Sequence, residues 1–543
     1  MKHRRHVMVG VLATVCALVM SACNTPLGIV GDDGAPVPSR TAPTASAANR
    51  TAPEAAQTPQ GRDLALPPSR DPSPVLQQQD DGSAPLGQKV TVPSLPFSFS
   101  RDGYTFRDLH GAQVPLVTGR VTPKVDTGPH DGHGVRMFIV DGKMYDHPNF
   151  QANYGIENLE SYDRTHDEFY LNRAKLQAQR LIDRRVESRG AWFYPYPFDF
   201  RLHGNIAETV RAPWYSGLSQ GKVLSLMSRL AATTHEAKWA EAADRTFNSF
   251  LLPPDEQAPW VVSVGSDHLL WFVEYPFGSP DTADLVFNGH MSAVFGLWDY
   301  YRVTRRPQAL ALYDGGITTI NRYRSTLRVP QAQSIYCVTH HSTATNGYHK
   351  IHIAQLIQLW LMTGRNEFVQ LADAMAADNP YPVLDTPRTV DLPAGRHIGY
   401  NFDIATGAVL GSKTVTLTEA TTATTIRRMR VKGRGVYYRM TKGSVMEGLW
   451  VPEKAGLSLM RGPIQILEYH ANREGVLPAK RVYVGTRYDA EGEVSGRTKL
   501  TPRAATQVSY DAKAWIGGVP SVHVTSGRLT GYWIAAASLQ PAS

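Results

Sequence analysis

Residues 217–252 read GLSQGKVLSLMSRLAATTHEAKWAEAADRTFNSFLL. Apolar side chains recur at helical spacing in two runs, 217–232 and 237–252, and a short polar segment separates the runs. Two helices joined by so few residues pack side by side in opposite directions. The stretch therefore predicts a helical hairpin.

The same pattern continues on both sides of this hairpin, over residues 150–378. The connections between the runs are long and rich in glycine, proline and aromatic residues, whereas an ordinary bundle has short connections. We therefore predict an incomplete α/α toroid over residues 146–380, with the functional site on the loops between its helices. The further predicted helices cover 167–186, 284–303, 308–324, 347–363 and 366–377.

The sequence patterns on both sides of the helical region are typical of β-strands. Short alternating segments such as 97–99 and 135–140 predict a small β element over 96–145. A repeat of about 85 residues predicts two β-rich copies, over 381–460 and 461–543. The chain is thus multidomain. The first copy ends in Gly448-Leu449-Trp450 and the second in the Gly-aromatic-Trp sequence Gly531-Tyr532-Trp533. The copies resemble bacterial Src-homology-like wall-binding modules; the alternative is that they only stabilise the neighbouring domain.

The N-terminus predicts an extracytoplasmic location. Lys2, Arg4 and Arg5 precede an apolar run that is too short for an ordinary transmembrane helix and ends at Ser21-Ala22-Cys23. Residues 1–22 resemble a bacterial lipoprotein signal peptide, which implies that Cys23 carries lipid and holds the protein on the membrane. Ordinary cleavage or an uncleaved anchor are the alternatives. Residues 23–95 lack large apolar side chains and predict a disordered tether.

Composition narrows the class of ligand. The 543 residues contain only three cysteines, which excludes a disulfide scaffold and a Cys-rich zinc module. The net charge of +8 fits a polyanionic partner, and 10 Trp with 24 Tyr suit carbohydrate surfaces. No phosphate loop, Gly-x-Ser-x-Gly elbow or nucleic-acid module is present in the sequence.

Three segments of the helical region carry the specific signal. The segments are Ala212-Pro213-Trp214-Tyr215-Ser216, then Glu274-Tyr275-Pro276 leading to Asn288-Gly289, and then Tyr336 followed by Tyr348-His349-Lys350-Ile351-His352. Their order and approximate spacing resemble the C-terminal domain of D-glucuronyl 5-epimerases (heparosan-glucuronate 5-epimerases), and the resemblance covers roughly residues 145–378. One departure follows Tyr336, where family members tend to have a short charged segment and this chain has Cys337-Val338-Thr339-His340-His341.

The resemblance implies inversion of carbon 5 of a glucuronate residue. Removal of the hydrogen there needs a base on one face, and its return needs an acid on the other. A cation must also screen the sugar carboxylate; His349, Lys350, Arg322, Arg324 and Arg328 are candidates. By resemblance, the acid–base residues are Glu274, Tyr275, Tyr336 and Tyr348, and the substrate-binding residues are Trp214, Tyr215, Gln220, Asn288 and His349.

We expect no cofactor and no metal. His340, His341, His349 and His352 are close in sequence, but no further ligand pattern accompanies them. The leading hypothesis is a surface-anchored uronyl 5-epimerase acting on an anionic polysaccharide. A polysaccharide lyase shares the proton abstraction and remains an alternative, as does a non-catalytic envelope protein that binds glycan.

Overall fold

A computed structural model describes residues 83–87, 95–255, 257–279, 282–454 and 456–541. Cys23 and the predicted signal peptide lie outside these residues, as does most of the predicted tether. The tether prediction is wrong for residues 83–87, because the Ala84 amide donates to the Gly364 carbonyl at 2.8 Å and the Gly87 amide to the Gly103 carbonyl at 2.9 Å. Within the described ranges, no helix has both the length and the apolar character needed to cross a bilayer.

Four helical hairpins form the middle of the chain. Each hairpin joins an inner helix to an outer one through a turn of two residues, where the helix ends in a left-handed residue such as His235 or Gly364. The inner helices are α1 (Pro148–Thr165), α3 (Gly217–Thr234), α5 (Phe287–Thr304) and α8 (Asn346–Thr363); their outer partners are α2 (Glu168–Arg184), α4 (Ala237–Asn248), α6 (Pro307–Arg322) and α9 (Asn366–Asp378), and the short α7 (Arg324–Leu327) follows α6.

The inner helices run parallel and contact one another in chain order. They are buried on most sides; α5 and α8 are apolar around most of the helix, whereas α1 also buries polar side chains such as Asn158 and Ser161. This arrangement confirms the predicted helical domain. We call the end with the inner N-termini the mouth and the opposite end the closed end.

Glycines set the spacing between α3 and α5. A methyl group on Gly296 would lie 2.1 Å from the Gly221 carbonyl oxygen, and one on Gly221 would lie 2.4 Å from the Ala293 Cα. The two helix backbones therefore touch directly, which only glycine permits. This crossing brings the first turns of both helices together at the mouth.

The predicted β element over 96–145 is wrong for most of its length. Residues 95–122 instead form an irregular strap, which runs beside α6, where Asp102 pairs with Arg322, and then crosses the closed end of the helices. Asp314 accepts the Gly103 and Tyr104 amides at 3.0 and 2.9 Å, and Glu160 accepts the Thr118 and Gly119 amides, both at 2.7 Å. Because helical side chains satisfy these backbone donors, the strap needs no strand partner.

Two-stranded hairpins occupy the long connections, as well as the segment before α1. The aromatic residues predicted in these loops form a separate core at the mouth, around Trp214 and Tyr275. The pairs are β1 (Met137–Val140) with β2 (Lys143–Asp146), β3 (Val186–Ser188) with β4 (Ala191–Phe193), β5 (Phe200–Arg201) with β6 (Thr209–Val210), β7 (Val262–Val264) with β8 (Leu270–Phe272), and β9 (Ile335–Cys337) with β10 (Ser342–Thr343).

The C-terminal region contains two seven-stranded antiparallel sheets with the same strand order, which confirms a β-rich, duplicated region. The orders are β13-β12-β16-β15-β14-β11-β17 and β20-β19-β23-β22-β21-β18-β24. The first sheet comprises β11 (Val383–Leu392), β12 (Gly395–Phe402), β13 (Val409–Leu417), β14 (Thr421–Val431), β15 (Gly435–Met440), β16 (Trp450–Pro452) and β17 (Leu459–Met460); the second comprises β18 (Pro463–Leu477), β19 (Tyr483–Tyr488), β20 (Val494–Leu500), β21 (Thr506–Ile516), β22 (Val519–Val524), β23 (Trp533–Ala535) and β24 (Gln540–Pro541).

Both sheets dock on the outer helix α9. Asp373 accepts hydrogen bonds from the Tyr469 hydroxyl at 2.7 Å and the Arg473 guanidinium at 2.8 Å. Arg430 of the first sheet donates to the carbonyl oxygens of Ala377 and Asp378. The sheets therefore contact the last helical hairpin through its outer helix.

Candidate active site

Glu274 lies two residues after β8, against the first turn of α5. The Gly217 amide donates to the neighbouring Val273 carbonyl at 2.7 Å, which fixes this segment to α3. A methyl group on Gly289 would lie 2.2 Å from Glu274 Oε2, so only glycine there leaves room for the carboxyl group. Asn288 Nδ2 donates to the same oxygen at 3.5 Å. The carboxyl group is thus held at the mouth end of α5 with 6% of the residue exposed.

Burial decides the protonation of Glu274. Desolvation raises its pKa to about 8, and the charge of Asp284 acts in the same direction. A hydrogen bond with Tyr275 and the positive charge of Lys222 act in the opposite direction. Near neutral pH the carboxyl group therefore exchanges readily between its protonated and ionised forms, which suits a general acid or base.

Three tyrosine side chains follow the Glu274 carboxyl group in a series of contacts. The Tyr275 side chain is hydrogen-bonded to both Glu274 and Tyr336, and the rings of Tyr336 and Tyr348 meet edge to face with centroids 4.7 Å apart. Burial, followed by the charge of Glu274, raises the pKa of Tyr275 and of Tyr336. Tyr336 and Tyr348 stay partly exposed. We call these four residues the carboxylate–tyrosine chain.

Local structure explains why these tyrosines meet. Tyr348 lies in the first turn of α8, where the Thr345 hydroxyl accepts its amide hydrogen at 3.4 Å and caps the helix. Tyr336 is the middle residue of β9, and the Val338 amide donates to the Leu285 carbonyl at 2.9 Å. The β9 strand is thereby tied to the segment before α5, next to Glu274.

Lys222 was not identified from the sequence. It lies on α3, 6% exposed, and its Nζ donates to Asn153 Oδ1 of α1 at 2.7 Å. Its charge lowers the pKa of Glu274 and of Glu157, although burial raises the latter to about 7. The sequence did contain a signal for Lys222, since it is a lysine within the apolar run 217–232. A lysine that is buried with such a run needs a compensating partner, which marks it as a candidate functional residue.

Three of the cations proposed from the sequence are engaged elsewhere. Arg322 pairs with Asp102 of the strap at 2.7 Å, and Arg328 pairs with Asp378 at 2.6 Å. Lys350 lies 4.7 Å above the Tyr381 ring. Lys222 is the basic residue whose charge reaches Glu274.

Two predicted substrate-binding residues are wrong. Gln220 is 0% exposed; its Oε1 accepts the Tyr194 amide at 3.1 Å, and its Nε2 donates to the Trp192 carbonyl at 2.9 Å. His349 is buried between Ser334, whose amide donates to Nδ1 at 2.9 Å, and the Met375 carbonyl, 3.0 Å from Nε2. Both residues use their polar atoms within the protein, which favours a role in stabilising the fold over substrate binding.

The other three predicted binding residues have different surroundings. Trp214 is buried, stacks on Tyr196 with ring centroids 3.9 Å apart, and donates its indole N–H to the Phe198 carbonyl at 2.9 Å, which favours a packing role over stacking on a sugar. Tyr215 is partly exposed. Asn288 is buried against Glu274, so it acts on the carboxyl group itself.

A second polar group adjoins the carboxylate–tyrosine chain. His203, Asp284, Cys337 and His340 each offer one ligand atom, and these atoms lie within 4.8 Å of one another. Cys337 directly follows Tyr336, and the rings of His203 and Tyr336 are 6.2 Å apart. The sequence expectation of no metal considered His340 with His341, His349 and His352, whereas the fold brings His340 to residues far along the chain.

Comparison with known proteins gives one family match. Residues 185–376 match the family model described as D-glucuronyl C5-epimerase C-terminus, which confirms the resemblance for this part of the chain and supports a carbohydrate epimerase-type function. The match includes all four residues of the carboxylate–tyrosine chain.

Solved structures give low-similarity matches. A cellobiose 2-epimerase from Spirochaeta thermophila is 14% identical with a TM-score of 0.34, and covers 45% of this chain and 63% of its own. A family 76 α-mannanase from Bacteroides thetaiotaomicron is 10% identical with a TM-score of 0.32, and covers 44% and 58%. A D-mannose isomerase is 13% identical with a TM-score of 0.31, and covers 46% and 63%. The matched part therefore spans less than two thirds of each of these chains.

Proposed function

We propose, starting from the match of residues 185–376 to the D-glucuronyl C5-epimerase C-terminus, that this protein inverts carbon 5 of glucuronate-type residues in an anionic polysaccharide. The observation that supports this function is the carboxylate–tyrosine chain: a buried carboxyl group with a raised pKa, linked through one phenol to two partly exposed phenols.

The reaction begins with proton abstraction. The Glu274 carboxylate accepts the hydrogen from carbon 5, and the electron pair of the broken C–H bond moves into the sugar carboxylate to give an enediolate. A base with a pKa of about 8 is better matched to this weak carbon acid than an ordinary carboxylate. The positive charge of Lys222 stabilises the extra negative charge that develops.

The reaction ends with proton donation to the opposite face. A phenol of Tyr348 or Tyr336 gives its O–H proton to carbon 5, the electron pair returns to form the new C–H bond, and a phenolate remains. Where Tyr336 is the donor, the hydrogen bonds from Glu274 through Tyr275 let the proton held by Glu274 return to the Tyr336 phenolate. Where Tyr348 is the donor, its partly exposed phenolate takes a proton from solvent, and Glu274 releases its own proton through Tyr275 and the partly exposed Tyr336. Both groups are thereby restored for the next turnover.

Hydrogen exchange tests the proposal. We expect the protein to incorporate deuterium at carbon 5 of a uronate polymer in heavy water, with the panel of polymers identifying the substrate. Tyr348→Phe removes one hydroxyl and should lower this rate by about 100- to 10,000-fold while the polymer still binds. The matched control is Tyr301→Phe, because Tyr301 packs on Phe106 of the strap at the closed end.

Each other outcome has a clear meaning. Tyr348→Phe turning over at the rate of the unaltered protein would remove Tyr348 from the mechanism. An unsaturated uronate, detected by its ultraviolet absorbance, would show that the same proton abstraction leads to β-elimination and that the protein is a lyase. Polymer binding without any exchange would identify a glycan-binding protein.

We also propose that Cys23 anchors the protein to the cell membrane from outside the cytoplasm, on the basis of the charged, apolar and small residues that precede it. In such a location the protein would meet envelope or extracellular polysaccharides rather than cytoplasmic sugars.

A further inference from the structure

Four side chains from three separate segments converge beside Tyr336. His203 comes from the loop between β5 and β6, Asp284 from the segment before α5, and Cys337 and His340 from β9 and the turn after it. The carboxylate of Asp284 lies between the two imidazoles: Oδ2 is 3.0 Å from His203 Nε2, and Oδ1 is 3.2 Å from His340 Nδ1. Cys337 Sγ lies 3.7 Å from His203 Nε2 and 3.6 Å from His340 Nδ1.

These distances fit a tetrahedral metal site. Ligand atoms at the usual zinc bond lengths of about 2.0–2.3 Å stand about 3.3–3.8 Å apart in a tetrahedron. The four separations given above run from 3.0 to 3.7 Å and involve both Asp284 oxygens, and the full set of ligand atoms lies within 4.8 Å, so small movements of these side chains would admit an ion. We propose that His203, Asp284, Cys337 and His340 bind one divalent zinc-like cation.

The choice of cation follows from the ligand types. Two imidazoles, one thiolate and one carboxylate are borderline and soft donors, which favour Zn²⁺ over Ca²⁺ or Mg²⁺, whose sites consist of oxygen atoms. The cation can reach the site from solvent, since the His203 and His340 side chains are 26% and 35% exposed, whereas Asp284 is buried.

Neighbouring residues orient two of the ligands. Glu208 Oε1 lies 3.7 Å from His340 Nε2, the ring nitrogen that would not bind the metal, and a carboxylate in this position fixes the orientation of a ligating histidine. The other oxygen, Glu208 Oε2, is buried with no hydrogen-bond partner among the described residues. The Ser342 hydroxyl lies 3.2 Å from Cys337 Sγ and can donate to a thiolate there.

Four protein ligands leave no open position, so the ion holds the structure together and does not activate water. It connects β9, which carries Tyr336, to the β5–β6 loop and to the segment that leads into α5. Tyr275 pairs with Asp284 through a backbone bridge, so the same ion also helps to fix the position of Tyr275. The site goes beyond the proposed epimerase activity and does not depend on it.

Cobalt binding to the full-length protein tests the site without any turnover. After removal of metal with a chelator, one equivalent of Co²⁺ should give intense visible bands of tetrahedral cobalt and a near-ultraviolet thiolate-to-cobalt band, and Zn²⁺ should abolish both. Cys337→Ser should remove the thiolate band, and His340→Ala should weaken binding by about 100-fold. His341→Ala is the matched control, because His341 is the exposed neighbour of His340 outside the four ligands.

Thermal unfolding gives a second readout for variants that bind poorly. Zn²⁺ should raise the Tm of the unaltered protein and leave that of folded His340→Ala unchanged. A folded protein without the thiolate band, a band that survives Cys337→Ser, or equal cobalt affinity in His340→Ala would each overturn the proposal. Loss of isotope exchange with intact cobalt binding would refute the epimerase proposal alone.

Discussion

Glu274→Gln should change how stability depends on pH. A glutamine keeps the shape of the side chain but cannot ionise. In the unaltered protein, burial raises the pKa of Glu274 from 4.5 to about 8. A raised pKa means that the folded protein binds the proton more tightly than the unfolded chain does. The stabilising contribution of that proton is therefore complete below pH 4.5 and disappears as the pH rises to about 8.

The size of the effect follows from the shift. A difference of 3.5 pKa units (8 − 4.5) at 1.36 kcal/mol per unit corresponds to about 5 kcal/mol. Between pH 4.5 and about pH 8, the free energy of unfolding of the unaltered protein should fall by up to about 5 kcal/mol relative to that of the variant. Tyr275 and Tyr336 do not titrate there, because their pKa values are raised, and Glu157 titrates in both proteins, so its contribution cancels in the difference.

Calorimetric unfolding of both proteins at pH 5 and pH 9 measures this difference. The matched control is Glu241→Gln, which removes an exposed carboxylate on α4 whose side chain is 60% accessible. A Glu274→Gln difference that does not change with pH would refute the assignment of a raised pKa. The variant should also lose isotope exchange at carbon 5, since the base is gone.

Other substitutions test separate features. Gly289→Ala should displace the Glu274 carboxyl group, 2.2 Å from the added methyl, and reduce exchange at least about 100-fold with the fold retained; normal exchange would contradict the tight fit. Lys222→Met should shift the pKa of Glu274 upward, moving the ascending limb of the pH–rate profile to higher pH; an unmoved limb would show that the Lys222 charge does not reach Glu274. Cys23→Ser should release the protein from membranes or block its processing, as fractionation would show, and a membrane-bound variant with a mature terminus elsewhere would contradict lipidation.

The sequence predicted the helical hairpins well because their apolar periodicity is strong. It also predicted which loops bring Glu274 and the tyrosines together, since the loops after successive outer helices meet at one end of the helical domain. The residues 95–122 were misread because alternating short segments resemble strands, whereas their amides are satisfied by distant carboxylates such as Asp314 and Glu160.

Polar residues on the inner helices were harder to assign. Gln220, Lys222 and His349 all lie on inner helices near the motifs, and the sequence does not show which of them points into the protein fold and which lies near the reacting groups. Spacing along the chain also hid the four-residue cluster, because His203 and Asp284 are more than 50 residues from Cys337. Only the folded structure brings these side chains together.

The parallel arrangement of the inner helices has an electrical consequence. Each helix carries roughly half a positive charge at its N-terminus and half a negative charge at its C-terminus. Because α1, α3, α5 and α8 all begin at the mouth, their positive ends lie there, whereas the outer helices run in the opposite direction and their dipoles oppose these at a distance. The effect is therefore local: the first turns of α5 and α8, which carry Asn288 and Tyr348, favour a negative charge placed directly beside them, by the backbone itself and before any basic side chain is counted.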